Sequence, residues 1–178
     1  GITRDYWNGV TGSGVASIPA GTVPSGTSTV SSMEAPTDFS DNYGTRLRGY
    51  ITAPETGNYY FWLASNGPSE LWISNDDEPV NIFKRAHVVA GSATPHSWTV
   101  EAGQRSPWMA LEQGHRYYIE VLYKAGIGSG DNVSVGWSKP GGSSLAPEEV
   151  VPGYALDVFT PPPPASPLPR STAINPPA

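Results

Sequence analysis

The chain has no cysteine among its 178 residues. That excludes disulfides, thiolate metal sites and cysteine nucleophiles. Basic residues are also few: ten Lys and Arg stand against sixteen Asp and Glu, for a formal net charge of −6. They are scattered rather than clustered. Nucleic acid and anionic membrane surfaces both need concentrated positive charge, so neither is an expected partner. No apolar run approaches the roughly 18–20 residues that span a bilayer, which excludes insertion by a helix. No stretch sustains an apolar period of 3.6, so long helices are not expected, although one short helix near Ala90 or Glu101 is. The chain shows no internal repeat.

Signatures of catalysis are missing too. His87, His96 and His115 stand at neither HxxxH nor HExxH spacing, so the zinc-hydrolase pattern is absent. There is no GxSxG elbow. A glycosidase holds two carboxylates about 5–10 Å apart, and no spacing pairs Glu70, Asp76, Glu112 and Glu120. The glycine-rich stretch 125–130 (AGIGSG) lacks the GK[ST] and the following helix of a phosphate loop, and reads as a flexible loop. The chain is expected not to be an enzyme.

What is present is turn formers and aromatics: 20 Gly, 19 Pro, six Trp and nine Tyr. Such a chain builds many short strands joined by turns. Strands are expected at 46–52 (RLRGYIT), 58–64 (NYYFWLA), 70–74 (ELWIS), 107–111, 115–124 (HRYYIEVLYK) and 131–138 (DNVSVGWS). Further apolar segments lie at 80–90 and 150–159. Alternation puts Leu71 and Ile73 on one buried face. It does the same for Tyr117, Ile119, Val121 and Tyr123, and for Val133, Val135 and Trp137. The turns fall at 54–57 (PETG) and at Asn66-Gly67. The polar stretch 25–38 reads as a loop. The sum is an all-β, antiparallel β-sandwich with long loops.

From Thr160 onward the text is TPPPPASPLPRSTAINPPA. Proline cannot donate to a ladder, so this is read as a disordered, Pro-rich, extended linker. The folded domain is therefore placed at 1–159 and the linker at 160–178. A spacer of this kind, and an opening on Gly1 rather than Met, suggest a segment of a longer protein with neighbouring domains. The acidic composition suits a secreted or cell-surface bacterial module, monomeric by default.

Two groups of residues offer binding chemistry. Asp76-Asp77-Glu78, flanked by Asn75 and Asn81, is either a solvated loop or a cation site of its own. Sugar rings stack on exposed indoles. Trp62, Trp72 and Trp137 lie in strand text and read as core, whereas Trp7, Trp98 and Trp108 lie near loops and read as candidate platforms. Asn132-Val-Ser134 also matches the N-glycosylation pattern.

Several segments in order and spacing carry a likeness: 41–50 (DNYGTRLRGY), 54–59 (PETGNY), 61–65 (FWLAS), 70–74 (ELWIS), 76–79 (DDEP), 112–120 (EQGHRYYIE) and 130–137 (GDNVSVGW). From residue 1 to about 159 the sequence resembles the PA14 domain, a β-sandwich module of bacterial glycosidases, adhesins and toxins and of yeast adhesins. The resemblance implies carbohydrate binding in a shallow, loop-lined pocket. It also implies a calcium ion held by an Asp-Asp pair before the strand at 70–74, with further oxygens from a second loop. Here the first loop reads Ser65-Asn66-Gly67, so two carboxylates are replaced by one amide. The second loop matches 128–135. The residues this assigns to the sugar are Asn66, Gly67, Ser69, Gly128, Asp131 and Asn132. Those it assigns to a cation are Asn66, Asp131 and Asn132. Asp76 and Asp77 lie one strand later, roughly 16 Å away along it, and cannot serve the same site. Three readings stay open: calcium-dependent sugar binding, sugar binding by stacking and amide hydrogen bonds alone, and a structural spacer or protein-interaction domain.

Overall fold

A computed structural model describes residues 1–167. Its strands are β1 (Ile2–Trp7), β2 (Gly26–Val30), β3 (Gly44–Thr52), β4 (Gly57–Ser65), β5 (Ser69–Ser74), β6 (Ile82–Val88), β7 (Met109–Leu111), β8 (Arg116–Lys124), β9 (Val133–Ser138), β10 (Glu149–Val150) and β11 (Leu156–Val158). They form two antiparallel sheets. One runs β2-β1-β3-β8-β5-β6, with β11 also paired to β3, and the other runs β10-β9-β4-β7. β11 takes up β3 at Gly49 where β1 leaves it at Arg48, so the C-terminal strand prolongs the line of the N-terminal one.

The sandwich core forms where the alternating faces meet. Leu71, Ile73, Tyr117, Ile119, Val121 and Tyr123 face inward from the larger sheet, and Val133, Val135 and Trp137 from the smaller; all are buried. Trp137 lies between the rings of Tyr59 and Phe61, with centroids 5.7 Å and 6.4 Å away. Its indole N–H donates to Glu149 Oε1 at 3.1 Å, so the polar edge of a buried ring is satisfied.

Three readings change, and one strand is not read in the sequence at all. The stretch 25–38 contains β2, a sheet-edge strand with mostly exposed Gly, Thr and Ser, whose ladder bonds to β1 need no apolar alternation. β1 itself carries no alternation either, because Arg4 and Asp5 are buried beside one another. The expected short helix is a single 3-10 turn at Ala102–Gln104, capped reciprocally by Glu101 and Gln104. Trp7 is not a platform: it is 3% exposed and packs with Val10 and Ile18 in a second cluster on the outer face of the larger sheet.

The start of the Pro-rich run has no regular structure through 167, and Tyr50 Oη donates to Thr160 O at 3.0 Å. The rest of the linker assigned to 160–178, from 168 on, lies outside the described residues.

Candidate functional site

β4 and β8 both end at one pole of the sandwich. Tyr123 pairs with Ser69, so the turn at 66–68 leaves the sheet beside Lys124. The turn is tied on both sides: Asn66 N–H donates to Asn132 O at 3.1 Å, and Tyr123 Oη donates to Asn66 O at 2.9 Å. These bonds bring the two loops singled out in the sequence into one place. Between them lies a cavity of about 490 Å³, lined by Asn66, Gly67, Lys124, Asp131 and the N-terminal loop 11–13, among others. Asp131 also walls an adjoining hollow of about 430 Å³, together with Asp38, Asp41 and Gly128.

Asp131 is 3% exposed. Its carboxylate accepts the Ser40 N–H at 3.4 Å and the Tyr43 hydroxyl. Burial raises its pKa, as do Asp38 and Asp41 nearby; the Ser40 and Tyr43 bonds pull it back only in part. The neighbouring acids are themselves held by backbone amides: Gly128 N–H donates to Asp41 Oδ1 at 2.9 Å and Gly130 N–H donates to Asp38 Oδ1. The glycine-rich stretch 125–130 is thus pinned by carboxylates, although the sequence reading treats it as free to move.

The remaining assigned residues fall differently. Ser69 is buried and shares a 2.7 Å hydrogen bond with Ser65 Oγ, so it does not reach the cavity. Asn132 is buried as well. Its Nδ2 donates to Ser92 O and Gly130 O, and its Oδ1 has no partner. Its sequon is therefore closed in the folded domain. Asp76 and Asp77 sit at the opposite pole. Asp76 accepts from Glu78 N–H and Asn81 Nδ2, and Asp77 pairs with Arg116 at 3.1 Å. They read as a braced surface loop.

Trp98 is half-buried, its ring parallel to His96 at 5.6 Å, above a separate groove shared with Arg105 and Leu145. Trp108 is 58% exposed. Sequence reasoning missed Lys124, Asn42 and the 11–13 loop as cavity residues. A lysine ending an alternating strand carries no local sign of burial, and loop closure over it is decided by the tertiary fold.

Calcium takes six to eight oxygens and is held largely by formal negative charge. Around the turn, Asn66 offers an amide, Gly67 no side chain, Asn132 one unspent amide oxygen, and Asp131 a carboxylate already accepting two bonds. Among the described residues no group of three or more His, Cys, Asp or Glu is gathered as a metal site would require. Gly67 has φ of +119°, and a Cβ there would lie 3.1 Å from Lys124 O, so the backbone is shaped against an aspartate at that position. Around the turn itself this set offers fewer charged oxygens than calcium takes; the further carboxylates, Asp38 and Asp41, face the adjoining hollow with Asp131.

The PA14 domain model matches residues 1–150. The chain belongs to the PA14 domain family. Two solved structures share its fold. The PA14 sugar-binding domain from an RTX adhesin superposes with a TM-score of 0.64 at 12% identity, over 89% of this chain and 98% of that one. A subtype-switched epithelial adhesin A domain from Candida glabrata, in complex with beta-lactose, gives 0.58 at 15% identity over 81% and 82%. A Mus musculus N-acetyl-beta-glucosaminyl-glycoprotein 4-beta-N-acetylgalactosaminyltransferase 1 is 36% identical over 99 residues, covering 54% of this PA14 chain. Fibrocystin from Canis lupus familiaris is 32% identical over 82 residues. The matched part is 10% of the transferase and 2% of fibrocystin. Among the described residues no helix is long and apolar enough to cross a membrane.

Proposed function

We propose that this PA14 domain is a non-catalytic carbohydrate-binding module, and that it binds sugar at the 66–68/124–131 pole without calcium. One observation carries the reading: the two loops converge on a concave cavity, its wall mixing polar side chains such as Asn42, Asn66 and Asp131 with apolar ones such as Pro68 and Ile127, rather than closing on one another. Sugar hydroxyls both donate and accept. Asp131, Asn66 and the loop backbone supply acceptors and donors for them. The RTX adhesin domain, described as sugar-binding, and the Candida glabrata adhesin in complex with beta-lactose share the fold, which supports a glycan as the partner. Among the described residues Asp131 is the one carboxylate that lines this cavity, and it accepts the Ser40 N–H; Asp38 and Asp41, which share the adjoining hollow with it, are held by the Gly130 and Gly128 amides.

In a longer extracellular protein, secreted or on a cell surface, such a module holds its neighbouring domains near glycans and raises their effective concentration there. The Pro-rich segment after residue 159 suits the connection. The loss of the acidic pair at Asn66-Gly67 favours one rival, a spacer that binds no sugar. A glycan array in EDTA tests both. Binding to a defined sugar that is unchanged by millimolar calcium is the expected result. Signal that appears only with calcium would overturn the cation-free mechanism, and a clean array from folded protein would leave the spacer.

A further inference from the structure

Lys124 is 2% exposed at the end of β8, yet it belongs to the wall of the cavity. Its ammonium donates to the backbone oxygen of Ala125, which lines the same cavity. An ammonium has three donors, and among the described residues this one forms no ion pair. Buried charges are ordinarily paired, because an uncompensated one carries a desolvation penalty. Burial lowers the Lys124 pKa with no opposing contribution from a neighbouring acid. Several other cations of the domain are paired with acids: Arg46 and Arg48 with Asp5, Lys84 with Glu70, Arg116 with Asp77, Lys139 with Glu149. Arg4, buried and among the described residues likewise without an ion pair, lies instead against the Tyr6 and Phe39 rings, away from the cavity wall. Lys124 is a buried lysine left with a single neutral acceptor on the rim of an open space.

The cavity is bipolar. Asp131 stands on the side of Tyr43 and Ser40, where burial raises its pKa and Asp38 and Asp41 raise it further by adding to the negative potential there. Lys124 stands on the side of Ala125. A neutral sugar would leave the ammonium unpaired. A ligand with one acidic group would place it against Lys124 and its hydroxyls toward Asp131, and like-charge repulsion from the aspartates would forbid the reverse pose.

Resting on the sugar-binding reading, we propose that this site selects acidic saccharides, sugars bearing a carboxylate or sulfate, through the Lys124 ammonium. A charge-assisted hydrogen bond to a desolvated ammonium is worth enough for about tenfold in affinity. The selectivity should also fall as salt rises.

Methyl β-D-glucuronide and methyl β-D-glucoside, which differ only in a C6 carboxylate against a hydroxymethyl, make the test. Both are titrated calorimetrically into the wild-type domain, Lys124→Met and Lys124→Arg, with circular dichroism melting as the check on folding. Methionine keeps the apolar stem, so the fold should persist. The expected glucuronide-to-glucoside affinity ratio is about ten for wild type, close to one for Lys124→Met, and partly restored by arginine. Equal binding of both sugars by wild type overturns the acidic preference and leaves the sugar reading standing. Binding of neither sugar overturns both. A ratio that survives in folded Lys124→Met overturns the role of this lysine.

Discussion

Single residues divide into those whose burial alternation announces and those whose role depends on a distant partner. Trp137 is of the first kind. Trp137→Ala should cost about 3–5 kcal/mol by emptying the space beside Tyr59 and Phe61, read as the loss in chemical unfolding. Trp108, exposed on the surface, should change stability by no more than about 0.5 kcal/mol when replaced by alanine. Asp131 is of the second kind. Asp131→Ala leaves the buried Tyr43 hydroxyl and the Ser40 N–H without their acceptor, a cost of about 1–3 kcal/mol. The same change should abolish sugar binding on an array. Full binding by a folded Asp131→Ala protein would place the site elsewhere. The aspartate is visible in the text, but its partners lie about 90 positions away in the chain, and only loop closure brings them together.

At the scale of elements, β4 is legible from its aromatic run and β8 and β9 from apolar residues at alternate positions, although in the fold β9 is buried at every position and β4 along its last five. β2 escapes because an edge strand with polar side chains on both faces is indistinguishable from a loop. β11 is legible as a closing segment, but its place is not. It lies against Gly49, where an added Cβ would come within 2.2 Å of Asp157 O. Gly49→Val should push β11 off β3 while leaving the rest of the larger sheet paired. Amide hydrogen exchange would detect this as lost protection at Leu156 and Val158 with β8 unchanged. Retained protection at β11 would mean that the backbone shifts to accept the side chain.

At the scale of the whole molecule, the pH profile follows from buried carboxylates of opposite tendency. Burial raises Asp131 and Glu120, so the folded state takes up their protons before the unfolded chain does. Stability should therefore rise as pH falls toward the ordinary carboxylate range of about 4. Asp5 and Glu101 behave oppositely. Burial pushes both up, but it is outweighed at Asp5 by bonds from Arg46 and Thr27 and at Glu101 by the amides of Gly91, Val89 and Ala90. Their stabilisation is present above about pH 4 and is lost as pH falls below it. Melting temperature should thus pass through a maximum in mildly acidic buffer. Asp131→Asn should flatten the alkaline side of that maximum, and Asp5→Asn should soften the acid side. A profile in which Asp131→Asn leaves the alkaline side unchanged would count against the burial of that carboxylate.

The sequence by itself determined the all-β class, the main strands, the inward faces and the pole at which two loops meet. The class, strands and faces rest on local alternation and turn chemistry, written within a few residues of one another, whereas the pole rests on the order of family segments along the chain. The tertiary structure alone decided that Trp7 and Ser69 are buried and that Asn132 is sealed beneath the turn. It alone decided that Asp77 is paired with Arg116 and that Lys124 is enclosed without a counter-ion. Burial and ion pairing are properties of what packs against a residue, and in a sheet protein that neighbour comes from tens of residues away, where no local pattern reaches.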